Sequence, residues 1–272
     1  MRQTSPHKPI ISKENTTIQY LRSLSDQKIR NKKRVFIIEG VKMVEEALRD
    51  DLGVNMLVAS PAIVRRHGRG ILKLAESKSV EVVWISERLM DGISESKTPQ
   101  PVMAVVQMRH HSEEALLADK TGLFIVTHQL QDPANLGSII RTAEAAGAAG
   151  VATTTNTVDP YNVKSIRASM GSILRLPVVP VGDITAFIRK SRQKGFQTAA
   201  TVLMGGKKYF DVDLTKPTVL ILGRESIGLP QDIMADVDLL IHIPMANTID
   251  SLNVATAAAV ILYEAMRQRL YQ

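Results

Sequence analysis

The sequence predicts an α/β protein in two parts, a smaller N-terminal α/β domain followed by a larger domain built on a parallel sheet. Three observations predict it. Apolar runs of strand length alternate with helix-like segments along most of the chain. The polar stretch RHHSEEALLADKTG (Arg109 to Gly122) interrupts that alternation and reads as a linker. Beyond it the apolar runs LFIVTH, GVATT, LPVVPV, TVLILG and LLIHIP are nearly continuous, the pattern of strands buried on both faces.

Taken in order, residues 1–34 form a basic arm and helix. They hold nine Lys or Arg against two acids, which is the whole of the chain's net charge of +7. A basic arm on a neutral body suits a polyanion, because each cation near a phosphate releases condensed counterions. A solubilising tail is the other reading. Arg30, Lys32 and Lys33 are the arm's candidate nucleic-acid contacts. Residues 35–108 form the smaller domain. Here VFIIEGVKMVEEAL passes from a strand into an amphipathic helix. After it come a strand at Val54 to Val58, a basic helix through Arg65, Arg66 and Lys73, and strands in VEVVWI and PVMAVVQM. Residues 109–121 are the linker and 122–272 the larger domain. In that domain a strand at Leu123 to His128 meets the turn formers Asp132, Pro133 and Asn135, then a helix that stops at Gly147. Further strands are expected at Gly150 to Thr154, Leu176 to Val181, Phe196 to Val202, Thr218 to Gly223 and Leu239 to Pro244, with helices such as Ile184 to Lys194 between them. The Ala-rich helix that closes the chain reads as buried.

Several chemistries are excluded at this stage. The chain has no cysteine, so disulfides, Cys-ligated metals and thiolate nucleophiles are absent. Apolar runs fall short of the roughly 18 to 20 residues that span a bilayer, and the charged first thirty residues do not resemble a signal peptide, so a cytoplasmic protein is expected, with no membrane partner. No GxxxxGK[ST] loop occurs; Gly205-Gly206-Lys207-Lys208 lacks the spacing. No GxGxxG follows a strand, His67-Gly68-Arg69-Gly70 reads as a loop, and no GxSxG elbow is present. The six histidines are scattered and predict no metal site.

Parallel sheets bind ligands beyond the carboxyl ends of their strands. Three polar clusters fall at such ends: Asn135 with Arg141, Gly223 to Gly228 (GRESIG), and Ser251 with Asn253. Each has a structural explanation alone. Asn135 suits a helix cap, Arg141 a solvated helix face, GRESIG a turn, and Asp250 or Ser251 the cap of the last helix. Asn253, two residues past Ser251, is left unexplained by such a cap. Three clusters on one rim point to a site.

NLGSIIRTAEAAGAAG (Asn135 to Gly150), LGRESIGLP (Leu222 to Pro230) and IPMANTIDSLNVATAAAVILYE (Ile243 to Glu264) resemble, in order and spacing, the three motifs of the SpoU (TrmH-like) family of RNA ribose 2′-O-methyltransferases in the SPOUT superfamily. DPYNVKSIRASMGSILRLPV is similar to the family's segment between motifs, and FIIEGVKMVEEAL to the start of the substrate-binding domain of its two-domain members. The resemblance implies a C-terminal sheet with a deep trefoil knot, an L30e-like N-terminal RNA-binding domain, S-adenosylmethionine as cofactor, and a homodimer. It implies that Gly223, Ile243, Met245 and Leu252 line the cofactor pocket. Arg141 matches the arginine near the target ribose, with Asn135, Glu225, Ser251 and Asn253 around it and Arg167 as a candidate phosphate contact. Glu225 is expected to fix Arg141 by a charge-assisted hydrogen bond. The last helix, with Val254, Ala257, Ala258, Ile261 and Leu262, suits the dimer contact. Arg224, Ser226, Ala146 and Ala255 depart from the pattern without removing a catalytic residue. Ribosomal RNA is the implied substrate. A tRNA 2′-O-methyltransferase and a non-catalytic RNA-binding or ribosome-assembly factor on the same fold are the alternatives, and the missing glycine fingerprint argues against an oxidoreductase.

Overall fold

The computed structural model describes residues 8–96, 98–119, 122–246 and 251–271. The chain divides into two compact units, one running up to Arg109 together with Tyr161–Val163, the other made of His110–Pro160 and the chain from Lys164 onward.

In the first unit two short helices, α1 (Thr16–Ser23) and α2 (Gln27–Lys33), are each begun by a side-chain cap. Asn15 Oδ1 accepts from Thr17 N at 2.9 Å and Asp26 Oδ1 from Lys28 N at 2.7 Å, satisfying N–H groups that a helix start leaves free. There follow β1 (Val35–Glu39), α3 (Val41–Arg49), β2 (Val54–Ala59), α4 (Ala62–His67), α5 (Gly70–Ser77), β3 (Glu81–Trp84), α6 (Glu87–Ile93) and β4 (Val102–Gln107). The sheet order is β1-β4-β2-β3, with β4 antiparallel to both neighbours and β3 parallel to β2. Its core gathers Ile18 and Leu21 of α1, Leu89 and Met90 of α6, and Val58, Met103 and Val105 of the sheet. The single basic helix expected through Arg65 and Lys73 is two helices, because Gly68 takes a φ of +72° that ends α4.

In the second unit the stretch read as a linker carries α7 (Glu113–Leu116). Leu116 and Leu117 are buried in that unit's core, and Ser112 caps the helix, so the polar sequence hides a short packed turn. The unit then runs β5 (Leu123–Thr127), α8 (Pro133–Ala145), β6 (Gly150–Thr154), α9 (Val163–Ser169), β7 (Val178–Val181), α10 (Ile184–Gln193), β8 (Gln197–Thr201), β9 (Lys207–Lys208), β10 (Thr218–Leu222), α11 (Gln231–Asp236), β11 (Leu239–His242) and α12 (Val254–Leu270). All seven strands are parallel, in the order β7-β6-β5-β10-β8-β11-β9. Every residue of β5, β6 and β10 is buried, which is why those strands carry no charged residue and no polar one but threonine. Phe124, Phe187, Phe196, Ile221 and Ile233 centre the core on one face.

The last helix departs from expectation. Only Ala258, Ile261, Leu262 and Ala265 of α12 are buried, while Tyr263 is 51% exposed. α12 packs on α8 along one stripe, and its small residues elsewhere leave a partly open face.

Candidate active site

Because the seven strands are parallel, their carboxyl ends share one rim, and the segments following β5, β10 and β11 deliver the three polar clusters to it. The structure joins the clusters through side chains. Asn135, in the first turn of α8, donates from Nδ2 to Glu225 Oε1 at 3.1 Å. Its Oδ1 accepts from Asn253 Nδ2 at 3.0 Å. Asn253 Oδ1 in turn accepts from Ala255 N at 2.9 Å and Thr256 N at 3.4 Å. The amide orientations are dictated in sequence. A carboxylate only accepts, so Asn135 must turn its NH2 to Glu225; free helix N–H groups only donate, so Asn253 must turn its oxygen to them. The remaining oxygen and NH2 then face each other. One chain of hydrogen bonds ties together segments 90 and 118 residues apart.

Local sequence explains how each segment reaches its place. Asp132 caps α8 by accepting from Ala134 N at 2.7 Å, and Pro133 fills the first helical position, where no N–H is needed. Gln131 Nε2 donates to Gln129 O and Asn156 O, both at 2.9 Å, pinning the turn before the helix. A Cβ on Gly137 would stand 2.3 Å from Ser165 O, so only glycine lets α8 lie this close to α9. The GRESIG segment is a tight hairpin, closed by Arg224 N to Gly228 O at 3.1 Å and Gly228 N to Arg224 O at 2.8 Å. A Cβ on Gly223 would lie 2.4 Å from the Gly228 carbonyl carbon, so backbone alone fits there.

Two expectations are corrected at this rim. Glu225 does not hold Arg141. Its carboxylate faces Asn135 and the backbone N–H groups of Gln131 and Asp132, each at 3.4 Å, at the positive end of α8. Arg141 lies six residues further along α8, about 9 Å up the axis. It is exposed and makes no hydrogen bond or ion pair with any described residue. The cap of α12 is Asn253, not Ser251; Asp250, the other candidate, lies outside the described residues. The helix starts only at Val254, with Asn253 extended at φ −54° and ψ 141°, so the whole Ser251-Leu252-Asn253 triplet precedes it.

The other predicted site residues divide. Gly223 is buried, Ile243 and Met245 are half-buried after β11, and Ser251 and Leu252 are exposed. Arg167 is exposed on α9. In the first unit Lys32 and Lys33 are exposed at the end of α2, but Arg30 is 5% exposed, and its Nη1 donates to Leu24 O at 2.7 Å and Ser25 O at 2.6 Å. It is a folding residue that closes the turn between α1 and α2, not an RNA contact. Sequence reasoning also passed over His128, just after β5. Its backbone N–H donates to Leu222 O at 2.8 Å, and its ring Nδ1 lies 3.2 Å from Thr154 Oγ1. Burial pushes its pKa below the usual histidine range, with Asp232 pulling weakly the other way. The only signal for it was a titratable side chain at the end of an apolar run, a signal that His242 at the end of β11 shares.

A model of the SpoU rRNA methylase family matches residues 122–263, and a model of the MRM3-like substrate binding domain matches residues 15–104. The 23S rRNA (guanosine(2553)-2′-O)-methyltransferase RlmP of Bacillus subtilis is 32% identical over 263 residues, covering 94% of this chain and 98% of that protein. The 23S rRNA (uridine(2479)-2′-O)-methyltransferase of Streptomyces viridochromogenes is 30% identical over 277 residues, covering 98% and 95%. Among solved structures, the AdoMet-bound rRNA methyltransferase from Sinorhizobium meliloti superposes with a TM-score of 0.84 at 33% identity, covering 96% of this chain and 97% of that one.

Proposed function

We propose, from the premise that the chain belongs to the SpoU rRNA methylase family, that it is an S-adenosylmethionine-dependent enzyme that methylates a ribose 2′-hydroxyl of ribosomal RNA. The observation that carries this reading is the hydrogen-bonded chain from Glu225 through Asn135 to Asn253, which draws the three family motifs to one rim of the sheet. The rim fits the cofactor: Gly223 admits only backbone against it, while Ile243, Met245 and Leu252 offer partly open apolar surface for a nucleoside. When bound, S-adenosylmethionine supplies a methyl group on a sulfonium, an already activated donor.

What remains for the protein is alignment of the hydroxyl and removal of its proton. Arg141, unpartnered among the described residues, is the group that orients the 2′-oxygen. A guanidinium stays protonated at ordinary pH, so it acts as a hydrogen-bond donor, and the hydroxyl proton leaves to a phosphate oxygen of the substrate that Arg141 also holds. Glu225, Asn135 and Asn253 keep the rim rigid, with Ser251 beside the ribose. Arg167, Lys32 and Lys33 contact RNA phosphates. The proposed transfer calls for no metal.

The finer architecture belongs to the same proposal. Residues 1–34 are a basic arm and helix, 35–108 an L30e-like RNA-binding domain, 109–121 a connector and 122–272 a catalytic domain with a trefoil knot. Entry of the late strand β10 between β5 and β8, both laid down earlier, supports the knot. The enzyme acts in the cytoplasm as a homodimer. The open face of α12 supports that assembly, although Ala258, Ile261 and Leu262 are already buried within the chain.

Incubation with radiolabelled S-adenosylmethionine and ribosomal RNA, followed by mapping of 2′-O-methyl positions, tests the reading. One ribose position labelled is the expected result. No cofactor binding in calorimetry would favour a non-catalytic RNA-binding or assembly factor, and labelling of tRNA alone would move the substrate.

A further inference from the structure

The proposed site leaves one surface element of the second unit unused. Between β8 and β10 the chain runs out as a tongue, Leu203 to Phe210. Its two-residue strand β9 pairs with Ile241 and His242, so the tongue stands at the edge of the sheet just below Ile243 and Met245, on the rim described above. The base is tightly built. Gly205 and Gly206 take φ values of +83° and +73°, and a Cβ on Gly206 would lie 2.2 Å from Leu240 O.

This backbone presents an unusual combination to solvent. Lys207 and Lys208 are exposed, and Phe210 is 47% exposed. Lys208 Nζ lies 5.8 Å from the centroid of the Phe210 ring, and Tyr209 meets the same ring edge-on, centroids 5.1 Å apart. Neither lysine's ammonium group forms an ion pair or hydrogen bond with any described residue, and Asp211, at the foot of the tongue, is the acid beside them in sequence. Lysines on an edge strand have an ordinary explanation, since charge there discourages pairing with another chain. That explains the lysines and leaves the ring unexplained. A cation beside an upright, half-open aromatic ring supplies what a flexible polyanion with flat bases needs, a phosphate partner and a stacking face.

We propose that the tongue 203–210 binds a single-stranded stretch of the substrate RNA, with Lys207 and Lys208 on its phosphates and Phe210 stacked on a base. The proposal rests on the RNA methyltransferase reading and adds to it a contact outside the three motifs.

The test titrates full-length protein with S-adenosylmethionine into a fluorescein-labelled oligoadenylate and follows anisotropy at several salt concentrations. In the K207E/K208E variant the edge strand stays charged, so edge protection alone predicts unchanged affinity. The tongue predicts roughly tenfold weaker binding at low salt and a slope of log Kd against log salt reduced by about 1.4. F210L is expected to weaken binding roughly tenfold and F210W to restore it, because stacking needs a ring while packing needs only bulk. Cofactor affinity in calorimetry and mass in light scattering stay unchanged in all three variants. Wild-type affinity throughout overturns the proposal. So does a loss of affinity accompanied by a changed oligomeric mass, which would make the tongue's partner a second copy of this chain. If the wild-type protein binds the oligonucleotide through the tongue yet methylates no RNA, the methyltransferase reading fails and the tongue stands.

Discussion

The two sheets of this molecule handle their strand ends differently. In the first unit β4 runs against both β1 and β2, so strand ends of both kinds meet at each edge, and the loops that follow them scatter. In the second unit seven parallel strands turn every carboxyl end to one rim, where residues 135, 225 and 253 become hydrogen-bonded neighbours. A parallel sheet concentrates chemistry on one rim, and a mixed sheet offers a broad surface instead. That difference supports the proposed division, with methyl transfer on the rim of the second unit and a broad RNA-binding surface on the first.

The largest expected effect tests the concentrated site. Arg141→Ala removes a guanidinium that has no hydrogen-bond or ion-pair partner among the described residues, and methyl transfer should fall roughly 100- to 1,000-fold, the usual cost of a transition-state donor. Calorimetric affinity for S-adenosylmethionine should not change. Full turnover in this variant would remove Arg141 from the mechanism.

Arg30 is the corresponding test in the first unit. Arg30→Ala leaves the carbonyls of Leu24 and Ser25 without their donor and should lower unfolding stability by about 2–3 kcal/mol, as hydrogen bonds from a charged group do. Denaturant melts check this, and RNA affinity measured on the folded fraction should stay at the wild-type value. Lys32→Glu with Lys33→Glu should do the reverse, keeping stability and weakening RNA binding. If Arg30→Ala proved neutral in stability but poor in RNA binding, the division between folding and gripping residues would be wrong.

Arg30 also shows where the sequence stops being legible. In composition it is one of nine basic residues in a charged arm, and nothing in its neighbours announces that its guanidinium will turn inward onto two carbonyls six and five residues back. Charge counts a residue without placing it. The strands of the second unit were legible for the opposite reason: burial on both faces demands an unbroken apolar run, which is a property of sequence alone. The rim was half legible. Order and spacing of the motifs identified the residues, but the partner of Glu225 was misjudged because charge complementarity favoured Arg141, whereas the backbone geometry at the start of α8 gave the carboxylate to Asn135 and two N–H groups. Strand β9 and the tongue around it had no period to read, being two residues long.

A smaller effect is expected at the link between α8 and α12. Asn253→Ala removes a cap and should cost about 1 kcal/mol. Asn253→Asp separates the two roles of the residue. The aspartate still accepts from Ala255 N and Thr256 N but cannot donate to Asn135, so stability should largely survive while methyl transfer falls. A double-mutant cycle with Asn135→Ala should give a coupling of about 0.5 kcal/mol or more, and additivity would show that the hydrogen bond carries nothing.

The smallest effect concerns pH. Burial holds the pKa of His128 below its ordinary value, so the folded state favours the neutral ring while the unfolded chain binds a proton as pH falls through about 6.5. Below that point the unfolded state holds more protons, and stability declines until the depressed folded pKa is reached. His128→Asn keeps a group able to bond Thr154 Oγ1 but cannot titrate, so its stability should fall less steeply between about pH 7 and pH 5 than that of the wild type. Chemical melts across that window decide it. Equal slopes would mean that the ring is hydrated in solution. A steeper decline in the wild type would mean that the ends of β5 and β10, joined by the His128 N–H to Leu222 O bond, depend on a neutral imidazole beside them.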